Sequence, residues 1–244
     1  MGLDIVLIVF VVCFIGSILQ GMIGIGFAVV IMSLLPLWIP FKIVASIELI
    51  LGTVTTISLL YPIRKHAKLK YIIVPTLSMV VFTKLGVDFL MKYDVNAMSH
   101  YLGILLILFS ITMTFISGKT RIKPSVKNGI IAGSISGFLG GAFSISGPPM
   151  AMYYFSLFDD VKEYEASMQL TFLLSGIYKI VLFFYYGNMN SFTVRYSLIG
   201  FLAVILGSFI SFKLIKNIDK VKLKHGIAIF MAVMGLMLIL KGVK

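Results

Sequence analysis

The chain has 244 residues, of which 59% are hydrophobic and only 12% charged, and its mean hydropathy is +1.07. A soluble domain of this size cannot hide so much apolar surface, so the lipid bilayer is its solvent and a water-soluble globular class is excluded. The formal net charge of +12 does not argue for nucleic acid, because the basic residues sit in short connections between apolar stretches, where they report membrane topology.

In chain order, the first apolar stretch covers residues 4–40. Its start, MGLDIVLIVF, has neither a positive n-region nor a small-residue cleavage site behind the apolar run, so it is expected to stay as a helix. It is too long for one crossing, which takes about 20 residues. It also contains GSILQGMIGIGFAVVIM at 16–32, with Gly21, Gly24 and Gly26. Single spans are expected at 43–61, 71–91 and 98–117. A second over-long stretch, 126–157, contains GSISGFLGGAFSISGPPM at 133–150, and spans at 166–186, 194–212 and 223–240 complete the chain. No strict polar–apolar alternation of a membrane β-barrel is present. The expected fold is an all-α polytopic membrane protein with eight or more membrane segments.

The two glycine-rich segments lie about 116 residues apart and mark an internal repeat. VASIELILG at 44–52 also aligns with EASMQLTFL at 165–173, at a spacing of 121, so that Ala45-Ser46 matches Ala166-Ser167 and Glu48 falls on Gln169. In the same register Leu85-Gly86 falls on Leu206-Gly207. A single transporter domain, 1–244, is expected, with repeat one at 4–117 and repeat two at 126–243.

If every stretch crossed once, lysines and arginines would divide 11 against 8 between the two faces, which is no bias. If 4–40 and 126–157 instead leave the membrane on the side they entered, the division becomes 14 against 5. The positive-inside rule selects this second topology, with both termini outside and the halves inverted relative to each other.

Transporters commonly place their site where Gly/Pro-interrupted helices of two related halves meet. Pro148 and Pro149 prevent a helix from running unbroken through Ser146-Gly147, and the glycines permit backbone geometry closed to other residues. A break exposes amide hydrogens at a positive dipole end, which suits an anion. The expected substrate-binding set is Gly21, Gly24, Gly26, Ser136, Gly137, Gly140, Gly141, Ser144, Ser146, Gly147 and Pro148, with Ser134 adding a further hydroxyl and Lys84 a positive charge. Small residues at this spacing also serve close helix packing, which competes as a reading for Gly21, Gly24 and Gly133.

Ionisable residues inside spans cost roughly 2.5–3.5 kcal/mol each and are functional candidates by default. Glu48, Lys84, Asp88 and Lys179 qualify. Lys84 and Asp88 are four apart and can pair on one helix face, whereas Lys179, about eight residues from its helix end, is placed to snorkel to the interface. Glu48 has no local partner; it is expected to be a proton-coupling carboxylate, with Gln169 as its non-titrating counterpart, or the partner of Lys84.

The repeated glycine segment followed by an apolar span, the G-x-x-G-G-x-x-x-x-x-G-P run from Gly137 to Pro148 and the overall length resemble the TauE/SafE sulfite exporter family, also called YfcA-like membrane permeases. The resemblance covers essentially the whole chain. It implies a multi-pass permease of a bacterial or archaeal inner membrane for sulfite, sulfoacetate or related organosulfonates, with the glycines, Ser146 and Pro148 as signature positions. The first copy departs from the second in holding no serine and no Gly-Pro at 29–32, so its turn falls to Gly21–Gly26.

Other classes fare worse. His66, His100 and His225 fall in loops or at span ends, which leaves a membrane serine protease without its base. The lone Cys13 and three scattered histidines make no metal set. No cofactor is expected, since the G-x-G of GMIGIGF follows no strand. A divalent-cation permease using Glu48 and Asp88 is the alternative reading. The expected partners are a small anion and the bilayer, without nucleic acid, and a homo-oligomer is compatible with the sequence.

Overall fold

The computed structural model describes residues 3–93, 95–115, 125–214 and 220–241, and among these the regular structure is helical. The element order is α1 (Leu3–Ile23), α2 (Phe27–Leu34), α3 (Phe41–Ile63), α4 (Leu69–Lys92), α5 (Val95–Phe115), α6 (Val126–Phe143), α7 (Gly147–Leu157), α8 (Val161–Tyr185), α9 (Ser191–Leu214) and α10 (Lys220–Lys241). The six long single spans expected from sequence are α3, α4, α5, α8, α9 and α10. Each over-long stretch is a longer and a shorter helix with a three-residue interruption, at 24–26 and 144–146. Among the described residues five helices are long and apolar enough to cross a bilayer, within 4–22, 41–66, 69–92, 161–185 and 191–211, and α5 and α10 hold shorter apolar runs at 97–112 and 228–240.

Local chemistry sets the boundaries. Pro40 precedes α3 at its N-cap, and Ser125 caps α6 by accepting from the Asn128 amide at 3.1 Å. The Asp160 carboxylate accepts from the amides of Lys162 and Glu163 at the start of α8, which holds it below the ordinary carboxylate range. Gly187, at φ 65°, ends α8 in a Schellman turn: its amide bonds to Phe184 O and that of Asn188 to Phe183 O. The turn aims the Asn188 side chain at α3, where it donates to Lys42 O at 3.2 Å and to Ser46 Oγ at 3.0 Å.

These contacts decide the topology. The Lys42 ammonium also donates to Met91 O, so the start of α3, the end of α4 and the α8–α9 turn share one face. Opposite, Lys68 pairs with Glu163 at 2.6 Å and its amide donates to Ser167 Oγ at 3.1 Å, so the α3–α4 and α7–α8 connections share the other face. Eight simple crossings would put the members of each pair on opposite sides. With α3, α4 and α5 each crossing once, α6 starts on the Lys68 face and α7 ends there, so the pair enters and leaves by one side. The first interruption reverses the chain in the same way: a Cβ on Gly16 would lie 3.5 Å from Phe27 Cα. The connections 116–124 and 215–219, which carry part of the basic excess, and the expected repeat ends at 117 and 243 lie outside the described residues.

Packing follows an exchange pattern. α6 lies along α4 while α1 lies along α9, the element that occupies α4's place in the second half; α3 meets α8 and α5 meets α10. At the α5–α10 contact a Cβ on Gly103 would fall 2.6 Å from Gly235 O, and one on Gly235 would fall 2.6 Å from Gly103 O. The contact is reciprocal, each glycine meeting the other's carbonyl. Large apolar side chains such as Leu77, Val81, Leu198 and Phe209 cover the outside, a surface suited to acyl chains rather than water.

Candidate functional site

Both interruptions depend on unusual backbone. Gly24 and Gly26 have φ of 83° and 142°, values open to glycine and strained for other residues. At the position corresponding to Gly24, 120 residues on, stands Ser144 with φ 61°, which is the one non-glycine residue with positive φ among the described residues. A left-handed serine costs about 1–2 kcal/mol, so a reason for a side chain there is required. It is supplied by α8: the Lys179 ammonium donates to Ser144 Oγ at 2.7 Å and to Gly140 O at 2.8 Å.

Lys179 is 5% exposed and stands on the wall of a cavity of about 90 Å³ between the two interruptions, which is smaller than a drug-sized ligand site and has room for a few waters or a small solute. Glu48, from α3, lies across from it, with Oε2 4.0 Å from Lys179 Nζ. Phe183 places its ring 5.2 Å from the same nitrogen. The first interruption has an uncharged counterpart: Gln169 Nε2 donates to Gly24 O at 3.4 Å, and its Oε1 accepts from Gln20 Nε2 at 3.5 Å.

Of the residues expected from sequence, Gly26, Glu48, Gly140, Ser144, Ser146, Gly147 and Pro148 line this cavity. Gln169 stands behind it, bonded to the lining Gln20. Others have different work. A Cβ would fall 2.2 Å from Met79 O at Gly137, 2.4 Å from Thr83 O at Gly141 and 2.2 Å from Pro75 O at Gly133, so these glycines seat α6 against the backbone of α4. Gly21 makes room for Ser211 of α9. Gly24 contributes its φ and its carbonyl. Ser134 bonds to Ser78 at 2.8 Å, and Ser136 is buried away from the lining with its hydroxyl unpartnered.

Lys84 is a correction. It is half exposed, pairs with Asp88 at 2.6 Å, and is absent from the cavity wall. Asp88 also accepts from the Tyr186 hydroxyl. Glu48 therefore meets Lys179 rather than Lys84, and Asp88 does not join Glu48 as a second ligand for a divalent cation. Lys179 itself turns inward instead of snorkelling, because an interior acceptor set awaits it. The two prolines bring a second correction: Pro148 and Pro149 lack N–H groups, so the start of α7 offers fewer free amides to an anion than a plain helix end, and the positive charge comes from Lys179.

The sequence reading missed a ladder of hydroxyls. Ser167, Thr171, Ser175 and Lys179 follow at four-residue intervals on one buried face of α8. Thr171 accepts from Thr76 at 3.2 Å and contacts Tyr154 Oη at 2.7 Å, while Ser175 meets Thr83 at 3.2 Å. The spacing is visible in the sequence and would have assigned Lys179 to the buried face.

Long apolar helices around two interrupted ones define a multi-pass all-α membrane protein as the class. A family profile described as sulfite exporter TauE/SafE matches residues 8–238, and the chain belongs to that family of membrane transporters. No curated protein and no solved structure gave a significant match.

Proposed function

We propose that the chain is a secondary transporter for small sulfur-containing anions such as sulfite or organosulfonates, working in a bacterial inner membrane with the Lys68 face toward the cytoplasm. The anion docks in the cavity between the 24–26 and 144–146 interruptions, and repeats one (4–117) and two (126–243) rock about it to expose it alternately to each side. The supporting observation is the Glu48–Lys179 pair on the cavity wall. With Glu48 ionised the pair is neutral and an anion gains little. With Glu48 protonated the lysine's charge is uncompensated in a medium of low dielectric, where it attracts an anion strongly. Anion binding is thereby linked to a proton, and no catalytic step or cofactor enters.

Thermal-shift screening of the purified protein against sulfite, thiosulfate, sulfoacetate and divalent metals tests this, because a ligand specific to the folded state raises the midpoint. A rise with at least one sulfur oxyanion is expected. Stabilisation by metals alone overturns the reading.

A further inference from the structure

The surroundings of Lys179 are those of a metal cation rather than of an ordinary lysine. Its ammonium lies at the C-terminal end of the interrupted helix α6, the negative end of the helix dipole, where Gly140 O accepts from the Ser144 amide at 3.1 Å and keeps a second lone pair for the ammonium. Gly140 O is at 2.8 Å, Ser144 Oγ at 2.7 Å and Glu48 Oε2 at 4.0 Å, and the ring of Phe183 stands behind. A carbonyl at a helix break, a hydroxyl and a carboxylate, opening onto a cavity that admits water, make the oxygen set with which interrupted helices hold sodium in other carriers. A Cβ at Gly140 would fall 2.8 Å from Ser146 Oγ, so glycine lets the far side of the interruption pack beside this carbonyl. The left-handed Ser144 backbone turns the hydroxyl toward the same point. The corresponding position on α3, 121 residues earlier, is Ser58, whose hydroxyl bonds within its own helix to Val54 O, so the charged arrangement belongs to one interruption alone.

We propose that Lys179 is a tethered cation filling a monovalent-metal site formed by Gly140 O, Ser144 Oγ and Glu48, which makes the protein independent of sodium. The inference deepens the transport reading by naming what its coupling ion is not. Removing the ammonium leaves the three oxygens facing one another around a hole of the right charge, and sodium then enters it.

The purified Lys179→Ala protein, without any anion substrate, is compared by thermal unfolding in sodium gluconate and in choline gluconate of equal ionic strength. Sodium is expected to raise its midpoint by about 3 °C, to leave wild type unchanged, and to have no effect once Glu48→Gln is added. Equal midpoints in the two salts for Lys179→Ala overturn the proposal, as does a sodium response in wild type. Should Lys179→Ala fail to insert, flux through wild-type proteoliposomes decides: full flux in sodium-free choline buffer supports the tethered cation, and a sodium requirement overturns it. The midpoint comparison contains no sulfur oxyanion, so it can fail while the substrate reading stands, and the reverse.

Discussion

Glu48 and Gln169 occupy the same place in the two halves, 121 residues apart, and each serves a different interruption: Gln169 donates to the Gly24 carbonyl, and Glu48 faces the lysine that holds the second break. One position is charged and titratable and the other is not. On the proposed mechanism this asymmetry makes Glu48 the single proton-linked position. Wild-type uptake should therefore rise on acidification, and Glu48→Gln should leave anion binding intact while abolishing that rise. A variant whose uptake still follows pH as wild type does would remove Glu48 from the coupling.

The glycines divide by what a Cβ would strike. At Gly137 and Gly141 it meets α4 backbone within 2.4 Å, so even alanine must push α6 and α4 away from each other. Each such substitution is expected to destabilise by about 1–3 kcal/mol and to lower the yield of folded protein. At Gly147 the nearest atom is Cγ2 of Ile25 at 2.8 Å, a side chain that can yield. Gly147→Leu should insert and melt close to wild type while losing flux. Size-exclusion profiles and proteoliposome uptake, measured together, separate the two groups.

Ser144 combines a strained backbone with a hydrogen bond to a buried ammonium. Ser144→Gly relieves about 1–2 kcal/mol of left-handed strain and forfeits a charged hydrogen bond worth about 1.5–3 kcal/mol, so the melting midpoint should fall only slightly. Flux should fall about tenfold or more, because the missing partner leaves Lys179 misplaced. Wild-type flux in this variant would make the serine incidental.

The hydroxyl ladder joins the cavity to the Lys68 face through Ser175, Thr171 and Ser167. On α3 the matching rungs at 50 and 54 are isoleucine and valine, so the polar seam runs in one direction only. Thr171→Val should slow transport several-fold with binding retained, and Thr171→Ser should restore it. Cys13 is buried, so cysteines introduced at 66 and 160 should both react with an impermeant thiol reagent from one side and a cysteine at 188 from the other. Labelling of 66 and 160 from opposite sides would contradict the hairpin topology.

Much of the fold was legible because membrane insertion is governed by composition: apolar length set the six single spans, and Pro148-Pro149 set the second interruption to within a residue or two. The first interruption needed only its glycines. What sequence could not separate was glycine that opens a site from glycine that seats a neighbour, since Gly137 and Gly140 differ only in which helix stands opposite. Lys84 and Lys179 posed the same difficulty. Both are lysines in the second half of a helix, eight residues from its end for Lys84 and six for Lys179, and one has a carboxylate four residues away while the acceptors of the other arrive from distant segments of the chain. The sequence signal that tells them apart is the run of hydroxyls at 167, 171 and 175 on the face of Lys179; the identity of its acceptors is fixed only by long-range contact.

Central to the account is that the cavity between the two interruptions carries a sulfur oxyanion across the membrane. Sulfite flux across proteoliposomes, compared between wild type and Gly147→Leu at matched incorporation, tests it most directly. Saturable flux in wild type that disappears in the variant is the predicted result; equal flux in the two, or none in wild type, would contradict it.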